Sequence, residues 1–293
     1  AAGDLLPGGT RFATWGNPLR AHSGGPDLVV AKLDSSGNLL WNTFLGSQGA
    51  DQGYGIALDA SGNIAVVGYS DSDWGGPLRA HSGLSDILVA KLTGAGQLVW
   101  HSFLGTSEGM SAGSGVAIDS QGNVLLTGKS DADWGDAIRP HAANKQPDIV
   151  VAKLGASGTL LWNTFLGSMD NDEGEAIAVD ASGNAYVTGA SGSPWGNPLR
   201  GFAGGKDIVA AKLNPEGALQ WNTFLGSGAG DEGYGIAVTG GTLFLTGYSG
   251  SGWGSPIDPY AGDADILVAR LDLNGALAWH SFLGSGQGDW GYG

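Results

Sequence analysis

Apolar residues in this chain come in short runs of strand length. Each run is closed by a cluster of Asp, Ser, Gly and Asn. In the first full unit the runs are Leu28-Val29-Val30-Ala31, then Leu39 to Leu45, then Gly55-Ile56-Ala57-Leu58, then Ile64 to Tyr69. The turns between them include Asp34-Ser35-Ser36-Gly37-Asn38 and Asp59-Ala60-Ser61-Gly62-Asn63. Runs rich in β-branched and aromatic residues, bounded by such turns, read as β-strands. None holds a 3.6-residue helical period over a useful length.

Both sides of each strand carry apolar or small groups. In the second strand Trp41 and Leu45 share one face, and Leu40 and Phe44 the other. A sheet that is apolar on both faces must be covered on both. The unit also repeats. A phrase D-[LI]-[VL]-[VA]-A-[KR]-L, a turn, then W-[NH]-[TS]-F-L-G occurs five times, with its tryptophans at Trp41, Trp100, Trp162, Trp221 and Trp279. Their spacings are 59, 62, 59 and 58 residues. Antiparallel four-stranded units stacked face to face satisfy this pattern as propeller blades. A buried aromatic contributes on the order of 2–3 kcal/mol, so the Trp/Phe pair of each unit is a large part of inter-blade cohesion.

The expected fold is therefore all-β: a five-bladed β-propeller of about 60-residue, four-stranded repeats, one domain over 1–293. The repeats run approximately 16–74, 75–134, 135–195, 196–253 and 254–293, the last completed by 1–15. The first strand is expected nearest the axis. A connector marked by Trp-Gly is expected to return from the outer strand of one blade to the inner strand of the next. Asp4-Leu5-Leu6, a Pro7-Gly8-Gly9 turn and Thr10 to Thr14 read as a third and a fourth strand. Gly291-Tyr292-Gly293 reads as the start of a third. The ends thus complement one another, and closure within one chain is favoured over closure between chains, which would build a fibre.

Composition narrows the function. Glycine makes up 55 of 293 residues without a collagen period, as many tight turns require. The net charge of −15 argues against nucleic acid and against an anionic membrane surface. Nine of the 13 cations sit at two repeat positions: Lys32, Lys91, Lys153, Lys212 and Arg270 in a strand, and Arg20, Arg79, Arg139 and Arg200 in the connector. That regularity predicts structural pairing. With no cysteine there is no disulfide and no thiolate metal site, and no apolar run is long enough to span a membrane. The opening Ala1-Ala2-Gly3-Asp4 is compatible with a mature end left by signal cleavage.

The phrases Gly53-Tyr54-Gly55-Ile56-Ala57-Leu58-Asp59 and Asp180-Ala181-Ser182-Gly183-Asn184-Ala185-Tyr186-Val187-Thr188-Gly189 resemble the SBBP (bacterial β-propeller) repeat family. The resemblance covers nearly the whole chain. It implies a propeller in a secreted or surface-attached bacterial protein, and it carries no agreed catalytic residues. The family is usually described as seven-bladed, and its connector differs from W-G-x-P-[LI]-R; this chain has five copies.

Each recurring polar residue has a bland reading beside a functional one. Asp27, Asp86, Asp148, Asp207 and Asp265 start the first strands and read as turn caps, with a cation-binding ring as the alternative. Asp51, Asp172, Asp231 and Asp289, with Ser111 in the second unit, order the approach to the third strand. Asp71 and Asp73, and Asp131 and Asp133, are paired loop carboxylates of the kind that suits Ca²⁺. The connector residues Trp15, Arg20, Trp74, Arg79, Trp134, Arg139, Trp195, Arg200 and Trp253 read as an edge cover with stacked guanidinium groups, or as a sugar-binding shelf. His22, His81 and His141 share a position with Phe202 and Tyr260, so packing explains it. GxGxxG at Gly228, Gly230 and Gly233 precedes no helix pattern. The expected function is a non-enzymatic extracellular structural or binding module with no cofactor. Its partners would be a surface protein or glycan, or further copies of itself. A multivalent lectin is the alternative, and an enzyme at the channel mouth a third.

Overall fold

The computed structural model describes residues 5–6, 10–11, 13–142 and 145–292. The expected Pro7-Gly8-Gly9 turn, with Asp4 and Phe12, lies outside them. The regular elements of the described residues are β-strands. The first sheet holds β1 (Leu5–Leu6), β2 (Thr10–Arg11), β3 (Asp27–Leu33) and β4 (Leu39–Leu45). The second runs β5 (Asp51–Leu58), β6 (Ile64–Ser70), β7 (Asp86–Leu92), β8 (Leu98–Leu104). The third runs β9 (Ser111–Ile118), β10 (Val124–Ser130), β11 (Asp148–Leu154), β12 (Leu160–Leu166). The fourth runs β13 (Asp172–Val179), β14 (Ala185–Ser191), β15 (Asp207–Leu213), β16 (Leu219–Leu225). The fifth runs β17 (Asp231–Thr239), β18 (Thr242–Ser249), β19 (Asp265–Asp272), β20 (Leu277–Leu283).

The sheets are out of phase with the repeats. Each joins the third and fourth strands of one repeat to the first and second of the next. Thus β6 pairs antiparallel with β7 from Ile64↔Leu92 to Ser70↔Asp86. This corrects the expected connector. The Trp-Gly segment links neighbouring strands of one sheet, and the short link Gly46–Ala50 carries the chain to the next sheet. The connector is long because it detours to the outer edge of the sheet. Leu19 N donates to Asn42 O at 2.8 Å and Phe44 N to Arg20 O at 3.1 Å, and all five repeats reproduce the pair. The free ladder of the second strand is thereby covered, which protects it from edge-to-edge pairing. The start of that strand stays in solvent: Leu40, Val99 and Leu161 are exposed, so Leu40 does not join Phe44 in the core.

The amino-terminal runs also differ from expectation. Leu5↔Lys32 and Leu6↔Ala31 continue into Thr10↔Leu28 and Arg11↔Asp27. Both runs lie along one edge of β3, at the position that a fourth strand holds elsewhere. They are one interrupted strand, not a third and a fourth.

The chain forms two compact units. One runs to Leu126 and adds Ser130–Asp136 and Lys153–Leu161; the other has Thr127–Lys129, Ala137–Ala152 and Trp162 onward. In the first, Leu28, Val30 and Leu45 of one sheet pack on Ile64, Val66, Leu88, Ala90 and Phe103 of the next. In the second, Ile208, Ala210 and Leu225 meet Leu243, Leu245, Leu267, Ala269 and Phe282 in the same way. Sheets greasy on both sides are thus stacked face to face, as the alternation predicts. Third strands approach most closely, β5 with β9 and β13 with β17. A Cβ on Gly55 would stand 2.8 Å from the Ser114 carbonyl oxygen, so glycine permits that approach. The third strand, not the first, is therefore where neighbouring sheets converge.

Candidate functional site

The recurring polar residues assemble one node per repeat, where the chain passes between sheets. Its first member caps the connector. Asp27 Oδ2 accepts the Ser23 N–H at 2.7 Å, Asp86 the Ser82 N–H at 2.8 Å, Asp207 the Ala203 N–H at 2.7 Å and Asp265 the Ala261 N–H at 2.6 Å. These carboxylates are buried, and Oδ1 of all five first-strand aspartates has no hydrogen-bond partner among the described residues. Burial pushes Asp148 and Asp207 up to about 6.

The second member starts the third strand. Asp172 Oδ2 accepts both the backbone N–H of Ser168, at 2.7 Å, and its hydroxyl, at 2.8 Å. The Ser191 hydroxyl donates to the other oxygen. Asp51 with Ser47 and Ser70, and Asp231 with Ser227 and Ser249, repeat the arrangement. Burial raises the pKa of all three aspartates against these donors. In the second repeat Ser111 bonds Ser130 at 2.8 Å instead, a neutral pair in the same place.

Arginine and tryptophan complete the node. The guanidinium carbons of Arg20, Arg79, Arg139 and Arg200 lie 4.4, 5.7, 5.4 and 4.4 Å from the ring centroids of Trp74, Trp134, Trp195 and Trp253. Arg79 Nη2 also donates to Gly105 O at 3.1 Å. The opposite face of Trp74 is stacked on His101 at 3.9 Å, and that of Trp253 on His280 at 3.8 Å. The bland reading of the connector therefore describes the geometry: these indoles are buried, and a sugar shelf finds no open face at Trp74 or Trp253. Trp15 alone of the five is 37% exposed, against 3–9% for the others. Arg20→Lys keeps the charge but loses the planar stack, so a urea melt should report a loss of about 1 kcal/mol.

The remaining candidates are packing groups too. His22, His81, His141, Phe202 and Tyr260 each meet the second-strand phenylalanine edge-on, at 5.6–5.9 Å. The strand lysines are tied into turns: Lys91 Nζ donates to Gly122 O in the following sheet at 2.9 Å, and Lys153 pairs with Asp119, in the β9–β10 turn of its own sheet, at 3.0 Å. Asp71 Oδ1 accepts the Ala50 N–H at 2.7 Å, and Asp131 Oδ1 the Met110 N–H at 2.6 Å. Asp73 and Asp133 are exposed. Among the described residues no three His, Cys, Asp or Glu side chains gather as a metal site.

A different set was not singled out in the sequence. Two positions of the third strand change from repeat to repeat: Gln52, Ala112, Glu173, Glu232 and Trp290 at one, Tyr54, Ser114, Glu175, Tyr234 and Tyr292 at the other. In the second unit Tyr234 OH donates to Glu232 Oε2 at 2.6 Å, and Lys206 pairs with Glu232 at 2.9 Å. The Tyr234 ring lies 6.0 Å from Tyr248 and 5.0 Å from Tyr292, tilted by 32° and 39°. Glu173 takes Lys129 at 3.0 Å and Asn171 at 2.9 Å. Burial, then the Glu173 carboxylate, pushes Glu175 up. Variation inside an otherwise constant frame was the available signal.

A repeated four-stranded antiparallel sheet, packed by both faces, is the blade of a β-propeller, and the chain is a repeat protein of this propeller-like class. No family model matches it, so the SBBP resemblance rests on its own residues. It is 30% identical over 149 residues to Regulatory protein FlaEY of Caulobacter vibrioides, covering 50% of this chain and 15% of that one. It is 27% identical over 176 residues to an uncharacterised WD repeat-containing protein of Acanthamoeba polyphaga mimivirus, covering 52% and 12%. The chain thus spans less than a sixth of either relative's length. Among solved structures, a GH43 β-1,3-galactosidase with galactodeoxynojirimycin aligns at 13% identity and TM-score 0.40, over 86% of this chain and 78% of that one. A levansucrase mutant of B. megaterium aligns at 10% and 0.38, over 96% and 84%.

Proposed function

We propose that this chain is a five-bladed β-propeller closed within one chain, and that it serves as a non-enzymatic binding and scaffold module of a secreted or surface-attached protein. One observation carries the closure. Leu45, Leu104, Leu166 and Leu225 are 0–1% exposed, whereas their counterpart Leu283 is 47% exposed. Leu45 packs on the second sheet and Leu225 on the fifth. Leu283 belongs to the last sheet, and the first sheet holds the exposed Trp15. Joining these two sheets would cover both residues.

Two further features support the same reading. Asp289 N donates to Ala264 O at 2.6 Å, as Asp51 N does to Pro26 O at 2.7 Å, so Asp289 takes the position that opens a third strand elsewhere, although residues 284–292 form no strand. Among the described residues, the first sheet has the fourth-strand position filled and the third open. The charges are also exchanged. Ser70, Ser191 and Ser249 stand opposite Asp86, Asp207 and Asp265, but Arg11 stands opposite Asp27. In the last repeat Asp258 stands where the others have arginine.

The binding role is supported by the work the repeated residues already do. Tryptophan, arginine, histidine and aspartate of the frame hold sheets together, which leaves ligand recognition to the variable third-strand positions. The surface location rests on the family resemblance. Light scattering across a wide concentration range should give a constant monomer mass, with five-lobed rings in electron micrographs. Leu283→Asp should open the ring and cost about 2–3 kcal/mol, the burial of one leucine. Mass that climbs with concentration would mean chain-to-chain linkage, and open arcs would refute closure.

A further inference from the structure

Five copies of one frame separate what the fold needs from what it does not. Aspartate, glycine, tryptophan and phenylalanine recur because they cap, approach or pack. The variable third-strand residues do none of this. Those of the second compact unit are polar or aromatic: Glu173, Glu175, Glu232 and Tyr234 are half-buried, and Trp290 and Tyr292 are exposed. Residues that a scaffold does not require, gathered on one surface, are where a ligand is read.

The second unit gathers the most of them. Tyr248, Tyr234 and Tyr292 form a run of rings tilted by 32–39° from one to the next. Rings tilted this far line up as a shallow apolar platform. Neither pair stands near a right angle, as adjoining walls of a box around a quaternary ammonium group would. Glu232 is held beside the platform by Tyr234 OH and Lys206 Nζ, 2.6 and 2.9 Å away. A fixed carboxylate next to an ammonium offers an acceptor and a donor side by side, which is what neighbouring hydroxyls require. Lys206 also offsets the charge of Glu232, so a cationic ligand is not demanded.

We propose that Tyr234, Tyr248 and Tyr292, with Glu232, bind a neutral carbohydrate, one sugar ring stacking on the platform while its hydroxyls bond the carboxylate and the Lys206 ammonium. This site is separate from the connector tryptophans; Glu232, Tyr234 and Tyr248 lie in β17 and β18, and Tyr292 alone belongs to the segment that ring closure would seat on the first sheet. The test is affinity electrophoresis of the intact chain through gels holding laminarin, galactan, arabinan, xylan or hydroxyethyl cellulose. Tetramethylammonium binding, followed by titration calorimetry, serves as the rival probe. At least one polysaccharide should retard the chain. Tyr292→Ala, at an exposed position, and Glu232→Gln should each weaken that binding at least tenfold, with an unchanged melting temperature for Tyr292→Ala. No retardation by any of the five, retardation that both variants retain, or binding of tetramethylammonium alone would overturn the proposal. Light scattering reports closure independently, so either reading can fail without the other.

Discussion

Gly189→Ala will not fold, while Gly76→Ala will be indistinguishable from the parent. Gly189 stands directly across the ladder from Gly174, beside the bulge between Gly174 and Ala176. A Cβ there would fall on the Glu173 carbonyl oxygen. That oxygen belongs to the backbone of the paired strand, so neither side chain nor loop can yield. Gly68 against Gln52 and Gly247 against Glu232 repeat the geometry. Overpacking with side-chain neighbours costs about 1–3 kcal/mol. Here the ladder itself must part, and a loss above about 4 kcal/mol is expected. Gly76 has nothing within 4 Å of its ideal Cβ. Soluble yield and a urea melt of the two variants check the contrast. A Gly189→Ala protein with a native midpoint would show that the bulge is not as tight as described.

Mild acid will stabilise the protein. Burial holds Asp51, Asp148, Asp172, Asp207, Asp231 and Glu175 above the ordinary carboxylate range, with Asp148 and Asp207 at about 6. A carboxyl whose pKa is higher in the folded state favours folding when protonated. Its contribution is complete below the unfolded pKa and disappears as pH rises through the folded one. Two imidazoles oppose this: burial lowers His101 and His280, so their contribution is lost as pH falls. Asp148 and Asp207, at about 6, titrate within the window and set the sign. Between about pH 7.5 and about pH 5 the melting temperature should rise on the order of 5 °C. Further acid reverses the trend. The Asn38 side chain and then its N–H hold Asp34 below the usual range, and Asp180 is lowered by Asn184 and Tyr186 against the cost of burial. These contributions fade as pH falls through the depressed values. Calorimetry over the range checks the curve, and a steady fall from neutrality would mean that the buried carboxylates stay charged.

The strands were legible because their cause is local. Leu39 to Leu45 and the run beginning at Ile64 were read within a residue of their observed bounds, since hydrophobic runs and Asp-Gly-Asn turns are written in adjacent letters. The third strand was read only from Gly55, although it starts at Asp51. Asp51-Gln52-Gly53 looks like a turn, but its glycine serves the bulge between Gly53 and Gly55. The grouping of strands into sheets was not legible at all. A periodic string has no natural starting point, and the longer spacer reads as the step between sheets. The covered indoles were foreseen as one of two readings, because arginine and tryptophan recur at one spacing. The tyrosine surface was missed for the opposite reason: attention to what repeats passes over what varies.

The half-repeat offset between gene and sheet has an evolutionary consequence. A duplicated stretch of one period, wherever its breakpoints fall, delivers the four strand types in cyclic order. Its first and last strands find their complements in the flanking copies, so the insertion adds one whole layer and leaves the old junctions intact. Such a protein can gain or lose layers by unequal recombination at almost any point along its coding sequence.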